Sequence, residues 1–460
     1  MKKTAIFGLL ALSSCMVGPD YHRPVLSVPK TFKAAPGWVK AEPDDAAPKG
    51  PWWQNFDDPV LDQLEPQVAI DNASLAADYD AYQQAVAITQ EARGGLFPTI
   101  SLTSGATRAR QEEGLATSGD FEGQVDWSLD LWGKIRRQVQ TDAAQAQVSA
   151  ADLANATLSA QAQLASDYVY MRSADENIAL LKQTVASYQA SLHVTQNKYK
   201  AGTVSQADVL SAQTALDGAS SDLVGEYAVR AQYEHAIAVL TGHVPAEISI
   251  PPGSQIQVVP IAPAQVPGTL LQRRPDIAAA ERQMAAENAQ IGVAEAAFYP
   301  DLSLSALGGF TANPITGLFT TSSQLWSLGT TATVDLFTGG ARGQAVVAAK
   351  AAYEESVETY RQAVLTAFQQ VEDDLTNLQI YAQQAQVQAR AVVDAKRAVQ
   401  IALNEYEAGT VDYTTVTSAQ VTLLQNQQAA LSIQQSRLLA SIALYQDLGG
   451  GFKESSLPVP

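Results

Sequence analysis

Two stretches of this chain pass sixty residues without a glycine or a proline, and they constrain the fold more than any other feature. Lys134 to Ala201 spans 68 residues and Gln344 to Ala408 spans 65. Glycine and proline are the residues that most readily end a helix, and Ala, Gln, Leu and Glu, which favour one, fill both stretches. At a rise of 1.5 Å per residue, each helix would run on the order of 100 Å. Helices of globular proteins rarely pass ~25 residues, which argues against an ordinary soluble domain. Alanines such as Ala143, Ala144, Ala146, Ala150 and Ala151 let helix axes approach closely. An aromatic content of 7% and a charged content of 17% suit long, closely packed helices better than a thick globular core.

The two stretches end alike. Asn197-Lys198-Tyr199-Lys200-Ala201-Gly202-Thr203-Val204 leads into Val209, Ser211-Ala212-Gln213 and Leu216. At a fixed offset of 207 residues, Asn404-Glu405-Tyr406-Glu407-Ala408-Gly409-Thr410-Val411 leads into Val416, Ser418-Ala419-Gln420 and Leu423, with 11 of 20 positions identical. Glycine stops a helix because it enters the left-handed conformation without penalty, and Thr203 or Thr410 can cap the helix that resumes. Each copy is therefore the tip of a helical hairpin, and the chain is two similar halves.

Ahead of each long helix the period changes from helical to two. Phe121, Gly123, Val125, Trp127, Leu129 and Leu131 alternate with Glu122, Gln124, Asp126, Ser128 and Asp130; Ile100, Leu102 and Ala106 alternate with Thr99, Ser101 and Thr103. A polar loop is expected from Gln111 to Asp120. In the second half Leu302, Leu304, Ala306 and Phe310 alternate with Ser303 and Ser305; Trp326, Leu328, Ala332, Val334 and Leu336 alternate with Ser327, Thr331, Thr333 and Asp335. Strands of about ten residues, apolar on one face and polar on the other, match a transmembrane β-barrel. Phe97, Trp132, Phe298, Tyr299 and Phe337 stand where interfacial aromatics belong. A soluble sandwich would also alternate, but needs about seven strands. Two isolated hairpins are barely stable in water, and single-chain barrels start at about eight strands. Four strands thus require other copies of the chain to close a barrel, with Glu122, Asp126, Asp130 and Asp335 expected on its lumen.

The chain opens with Lys2, Lys3 and an apolar run from Ala5 to Leu12, too short to cross a bilayer as a helix and typical of an export signal. It ends in Leu12-Ser13-Ser14-Cys15, with Cys15 the only cysteine. This resembles the lipobox of bacterial lipoproteins, in which the cysteine carries a covalent lipid; Met16 in place of Asp implies delivery to the outer membrane. An ordinary signal with a chance cysteine is the alternative. The formal charge of -18 becomes -20 once the signal's two lysines are gone, and it repels nucleic-acid phosphates. Eight prolines between residues 16 and 59, including Pro19, Pro24, Pro29 and Pro36, exclude helix and central strand there and predict an extended tether. A helical pattern follows from about Val60 to Gly94. Between the halves, Gly242 to Pro267 is proline-rich, and Leu270-Leu271-Gln272-Arg273-Arg274-Pro275-Asp276-Ile277 opens the second half with Asp276 as a candidate cap. No nucleophile elbow and no phosphate loop occurs in the sequence. The histidines at 22, 193, 235 and 243 lack ligand spacing, and pairs such as Asp373-Asp374 and Glu354-Glu355 lie on polar helix faces. No catalysis, metal or cofactor is expected beyond the lipid on Cys15.

Leu12-Ser-Ser-Cys15, Gly18-Pro19-Asp20-Tyr21, Tyr199-Lys-Ala-Gly-Thr203, Leu271-Gln-Arg-Arg-Pro-Asp-Ile277 and Gly292-Val-Ala-Glu-Ala-Ala-Phe-Tyr-Pro300 carry a resemblance over essentially the whole mature chain. It is to the TolC-type outer-membrane factors, in the lipoprotein branch that serves resistance–nodulation–division (RND) efflux pumps. The resemblance implies a homotrimer in which four strands per chain build a twelve-stranded outer-membrane barrel above a periplasmic α-barrel. It implies a duct for small molecules whose tips meet a periplasmic adaptor, itself joined to an inner-membrane RND pump. On that plan residues 1–14 are the lipoprotein signal and 15–59 the lipidated tether. The first repeat is 60–241, with hairpin 98–131, long helix 134–201 and tip 202–204. An equatorial linker at 242–268 precedes the second repeat at 269–448, with hairpin 301–337, long helix 344–408 and tip 409–411, and 449–460 is a tail. The same fold also serves ducts for type I protein secretion, which remains the rival reading.

The resemblance also places candidate sites. Gly202, Thr203, Val204, Gly409, Thr410 and Val411 match the adaptor contacts, although the glycines can serve only to turn the chain. Asp208 and Tyr406 match positions linked in the closed gate, so a hydrogen bond is expected between them. The usual aspartate-ring positions hold Thr415 and Ser418, leaving Asp412 to supply a ring lower down, with Val416 as either an apolar constriction or plain helix packing. From the residues themselves, Lys198 and Lys200 in one tip face Glu405 and Glu407 in the other, suggesting Lys–Glu pairs between neighbouring hairpins; solvated charges are the alternative.

Overall fold

The computed structural model describes residues 16–24, 51–111, 114–260 and 273–450. Cys15 and the signal, most of the tether, residues 261–272 of the linker and opening motif, and the tail after Gly450 lie outside the described residues. After a short turn at Trp52–Phe56 come α1 (Pro59–Asp71), α2 (Ala73–Gly94), β1 (Thr99–Gln111), β2 (Gly114–Leu129), α3 (Lys134–Lys200) and α4 (Gln206–Leu240). The second half repeats the order with α5 (Pro275–Ala296), β3 (Asp301–Ala312), β4 (Gln324–Thr333), α6 (Ala341–Glu407) and α7 (Tyr413–Asp447). The molecule is mainly helical with one four-stranded sheet. The long helices α3 and α6 have 67 residues each and their returns α4 and α7 have 35 each, so the long pair runs ~100 Å. Among the described residues no helix is long and apolar enough to cross a membrane.

Three local readings need correction. The helix expected from Val60 to Gly94 is two helices. Asn72 takes an extended conformation between them, accepts from the backbone N–H groups of Ser74 and Leu75, and donates to the Leu240 carbonyl at 3.0 Å. Asp276 is not the cap of α5: Arg274 holds that position with Pro275 in the first turn, and Asp276 instead clamps the Arg274 guanidinium. That arginine also donates to Asp447 and Gln370, joining α5, α6 and α7. The helix expected from Gln344 begins three residues earlier, at Ala341.

The sheet is antiparallel in the order β1-β2-β3-β4. Its register pairs Thr103 with Glu122 and Glu122 with Gly309, then Ser303 with Thr331. Side chains alternate across a strand, so Thr99, Ser101, Gln124, Asp126, Ser305 and Thr331 share a polar face with Glu122. Ile100, Leu102, Val125, Leu302, Leu304 and Leu328 share the apolar one. Glu122 and Asp126 thus stand on the expected lumen face, but Asp130 and Asp335 do not belong to it. Strand β2 ends at Leu129, and Asp130 turns to accept from the backbone N–H groups of Ile135 and Arg136 and to pair with the Arg136 side chain at 3.1 Å, capping α3. Strand β4 ends at Thr333, and Asp335 pairs with Arg342 at 2.7 Å. The polar loop expected from Gln111 to Asp120 is mostly strand, since β2 begins at Gly114.

Aromatic side chains bracket the apolar face. Phe121 and Phe310 face each other in register and both pack edge-on against Phe319. At the helix end, Trp132 stacks on Tyr299 at 4.9 Å and donates to the Pro300 carbonyl, while Trp127 donates to Leu96. Phe121 and Leu129 are eight residues apart, ~26 Å along a strand and ~20 Å along the normal at the usual barrel tilt. That is close to the height of a bilayer's apolar band. β1 and β4 have no further partner within the described residues, and an open edge of this length is unstable in lipid, where no water can replace the missing strand.

Below the sheet the described N-terminal strap is stitched to the helices. Met16 lies against Gly133, Val17 N–H donates to the Trp132 carbonyl, and Arg137 donates to the carbonyls of Val17 and Gly18 and to Asp20. Asn288 donates to the Pro19 carbonyl and Tyr21 to Glu281. Gly18 adopts φ +94, and a Cβ there would sit 2.4 Å from the Gly292 Cα. The Gly18 backbone therefore touches that of Gly292, while a Cβ at Gly292 would stand 2.8 Å from the Arg137 side chain that holds the strap. Gly18→Val is expected to release this strap, at a cost of roughly 1–3 kcal/mol, and limited chymotrypsin digestion of the folded protein should then cut after Tyr21, whose hydroxyl the strap holds on Glu281. Continued protection of the Tyr21–His22 bond in the variant would contradict the clasp.

Candidate functional site at the helical tips

Both tips are built the same way. Gly202 and Gly409 have φ of +74 and +76. Gly202 N–H donates to the Tyr199 carbonyl and Thr203 N–H to Lys198; Gly409 and Thr410 repeat this on Tyr406 and Glu405. These crossed bonds satisfy the last carbonyls of a helix and require a left-handed residue. No atom lies within 4 Å of where either Cβ would stand, so conformation alone, not crowding, demands glycine. Thr203 and Thr410 do not cap the returning helices as expected. Their hydroxyls bond back to the Lys198 and Glu405 carbonyls, each at 2.9 Å. The caps are two residues on. Ser205 and Asp208 form a reciprocal capping box at the start of α4, whereas Asp412 stands at the start of α7 without a side-chain capping bond.

The two tips of one chain enclose a cleft of about 660 Å³ lined by Lys198, Val204, Asp208, Tyr406, Val411 and Asp412 among others. Beneath it Leu192, Ala212, Ala402, Tyr406, Tyr413 and Val416 form a buried apolar cluster. Val416 is 0% exposed, which makes it helix packing and not a constriction facing a bore. Thr415 and Ser418 are exposed on α7, with the Ser418 hydroxyl bonded to the Thr414 carbonyl. Asp412 and the tip residues Gly202, Thr203, Gly409 and Thr410 are exposed as well.

The expected bond between Asp208 and Tyr406 is absent from this arrangement. Asp208 is committed to Ser205, accepting from its backbone and hydroxyl, and the Tyr406 hydroxyl donates to Thr195 at 3.4 Å. Nor do Lys198 and Lys200 pair with Glu405 or Glu407 within the chain. Lys198 reaches across the cleft and donates to the backbone carbonyl of Tyr406, with Glu407 O at 3.5 Å, and its ammonium stands 4.1 Å from the Tyr406 ring centroid. The reason is electrostatic. A helix C-terminus carries about half a negative charge and favours a cation. The last turn of α3 contains Lys198 and Lys200, but that of α6 contains no basic residue and two glutamates. Lys198 therefore supplies the positive charge for both ends. No sequence pattern marks this contact, because its acceptor is a backbone carbonyl. The capping box was legible as Ser205-x-x-Asp208 and was missed.

Comparison with known proteins gives one consistent answer. A family model described as outer membrane efflux protein matches residues 66–243 and 266–450. The probable efflux pump outer membrane protein TtgC of Pseudomonas putida is 29% identical over 97% of this chain and 94% of its own length. The outer membrane protein OprJ of Pseudomonas aeruginosa is 27% identical over 98% and 96%. Among solved structures, the outer-membrane channel OprN superposes with a TM-score of 0.88 at 27% identity, covering 95% of this chain and 99% of that one. The MtrE channel of Neisseria gonorrhoeae, solved in an open state, gives 0.85 at 25% identity over 96% and 99%.

Proposed function

We propose that this chain, which belongs to the outer membrane efflux protein family, is the exit duct of a tripartite RND-type pump in the outer membrane. The observation that carries the reading is the direct junction of the two-faced sheet to helices of 67 residues, made twice in one chain. Three copies would join β1 of one chain to β4 of the next and close twelve strands, with Glu122 and Asp126 in the lumen and the apolar face toward lipid. The helices would continue the bore through the periplasm. TtgC and its relatives are named for efflux of toluene, solvents and antibiotics, and small apolar or amphiphilic molecules are the proposed cargo here.

The position of the strap supports lipidation of Cys15. Met16 rests at Gly133, between the sheet and α3, at the level of the bilayer's inner border, where an acyl chain can insert. At the other end Gly202, Thr203, Val204, Gly409, Thr410 and Val411 form the proposed surface for a periplasmic adaptor. There Asp412, free of capping duty, is the carboxylate available to an acidic ring. Purified protein should be a trimer that conducts in planar bilayers. Its deletion from the native strain should raise solvent and antibiotic sensitivity, restored by the intact gene. A monomer without conductance would rule out the duct, and loss of an exported protein in place of drug tolerance would favour secretion.

A further inference from the structure

The four strands sort their charges completely by face. Asp120, Glu122, Asp126 and Asp301 all lie on the polar face, and the two strand arginines, Arg108 and Arg110, both lie on the apolar one. We propose that Arg108 and Arg110 form a lipid-side site for the phosphates of an anionic outer-leaflet lipid of the lipid A type. The inference rests on the outer-membrane placement of the sheet, and nothing in the duct function itself requires it.

Height and chemistry select this occupant. Phe121, in the upper aromatic layer, pairs with Ser104, while Arg108 pairs with Thr117 and Arg110 with Leu115. The arginines thus stand four and six residues beyond the aromatic layer, ~13 and ~20 Å along the strand and on the order of 10–15 Å along the normal. They are past the hydrocarbon and level with headgroups. Successive residues on one face are ~6.6 Å apart, so two guanidinium forks stand side by side on the same face, and each fork can bind a phosphate through two parallel N–H groups. Both side chains are exposed, and neither makes an ion pair or side-chain hydrogen bond among the described residues. In sequence the turn beyond carries Glu112 and Glu113, which lie outside the described side chains. A zwitterionic lipid offers no net charge to this pair, whereas a bisphosphorylated headgroup does.

The test is native mass spectrometry of the solubilised trimer, titrated separately with bisphosphorylated lipid A, its dephosphorylated form and phosphatidylethanolamine. Wild type should bind the bisphosphorylated lipid about tenfold more tightly than either of the others, as expected for charge-assisted pairing. The Arg108→Ala, Arg110→Ala variant should lose that preference, and the double Lys variant should keep part of it. If the alanine variant does not assemble, Arg108→Gln with Arg110→Gln gives the same reading. Equal affinity of wild type and variant, as expected were the arginines to serve only Glu112 and Glu113, overturns the proposal, as does equal binding of the dephosphorylated lipid. Conductance of the variant is measured alongside: an unchanged channel that has lost lipid preference supports the site, and absence of conductance in wild type counts against the duct reading alone.

Discussion

Replacing Lys198 by Glu is expected to raise the open probability of the reconstituted channel about tenfold, whereas Lys200→Glu changes it little. In the proposed duct the two hairpins of a chain must part at their tips for the aperture to widen, and Lys198 is the charged side chain that crosses between them above their shared apolar cluster. It contributes a hydrogen bond to the Tyr406 carbonyl, an ammonium 4.1 Å from the Tyr406 ring centroid, and the positive charge that the α6 terminus lacks. A charge-assisted hydrogen bond is worth about 1.5–3 kcal/mol and a partly exposed cation–π contact about 0.5–1. Even the lower ends of these ranges, discounted for solvent, leave ~1.4 kcal/mol, a factor of ten in an equilibrium. The glutamate adds repulsion from the same carbonyls. Lys200 is exposed and reaches no partner among the described residues, so it controls for net charge. Tyr406→Phe removes only a 3.4 Å bond to Thr195, worth ~1 kcal/mol or less, and should open the channel less than Lys198→Glu does. Single-channel recording decides: identical open probabilities for Lys198→Glu and Lys200→Glu would show that the crossing contact does not hold the tips.

The contrast between those two lysines marks what the sequence reveals and what it hides. Helix length was legible because a run without glycine or proline needs no tertiary partner to be recognised. The two-faced sheet was legible because its period is short and one face must be apolar. Asp130 shows where periodicity misleads. It continues the polar alternation of β2, but the chain has already turned toward α3, and a carboxylate just ahead of a helix serves its free N–H groups better than a lumen. The segment from Gly114 to Asp120 is polar and glycine-containing, so it read as a loop; pairing with β1 overrides that composition. Asp208 was assigned to Tyr406 by position in a resemblance, although its own neighbour Ser205 offered a local partner. Lys198 bonds a carbonyl and Gly18 touches Gly292, contacts in which one side is backbone and therefore silent in sequence.

Glu65→Gln is expected to flatten the pH dependence of stability between pH 6 and 8. Glu65 lies on α1 beside Leu61, Leu64 and Val68 in the main apolar cluster, is 0% exposed, and neither carboxylate oxygen has a hydrogen-bond partner among the described residues. Burial pushes its pKa up to about 9 from an ordinary 4.5. Between those values the folded protein holds a proton that the unfolded chain has released, so unfolding is coupled to proton loss and stability falls as pH rises. The slope is about 1.4 kcal/mol per pH unit for one such group, or ~2.7 kcal/mol across the window, levelling above pH 9. Asp374, pushed above the ordinary carboxylate range by burial and by the neighbouring Asp447, adds to the slope with the same sign. A glutamine keeps the shape without a titrating proton, so the variant should follow a shallower curve and gain on wild type at pH 8 relative to pH 6. Denaturant unfolding of both proteins at the two pH values, in the same detergent and salt, gives the comparison, since contributions from every other titrating group are common to both. Parallel curves would mean that the folded protein does not keep Glu65 protonated.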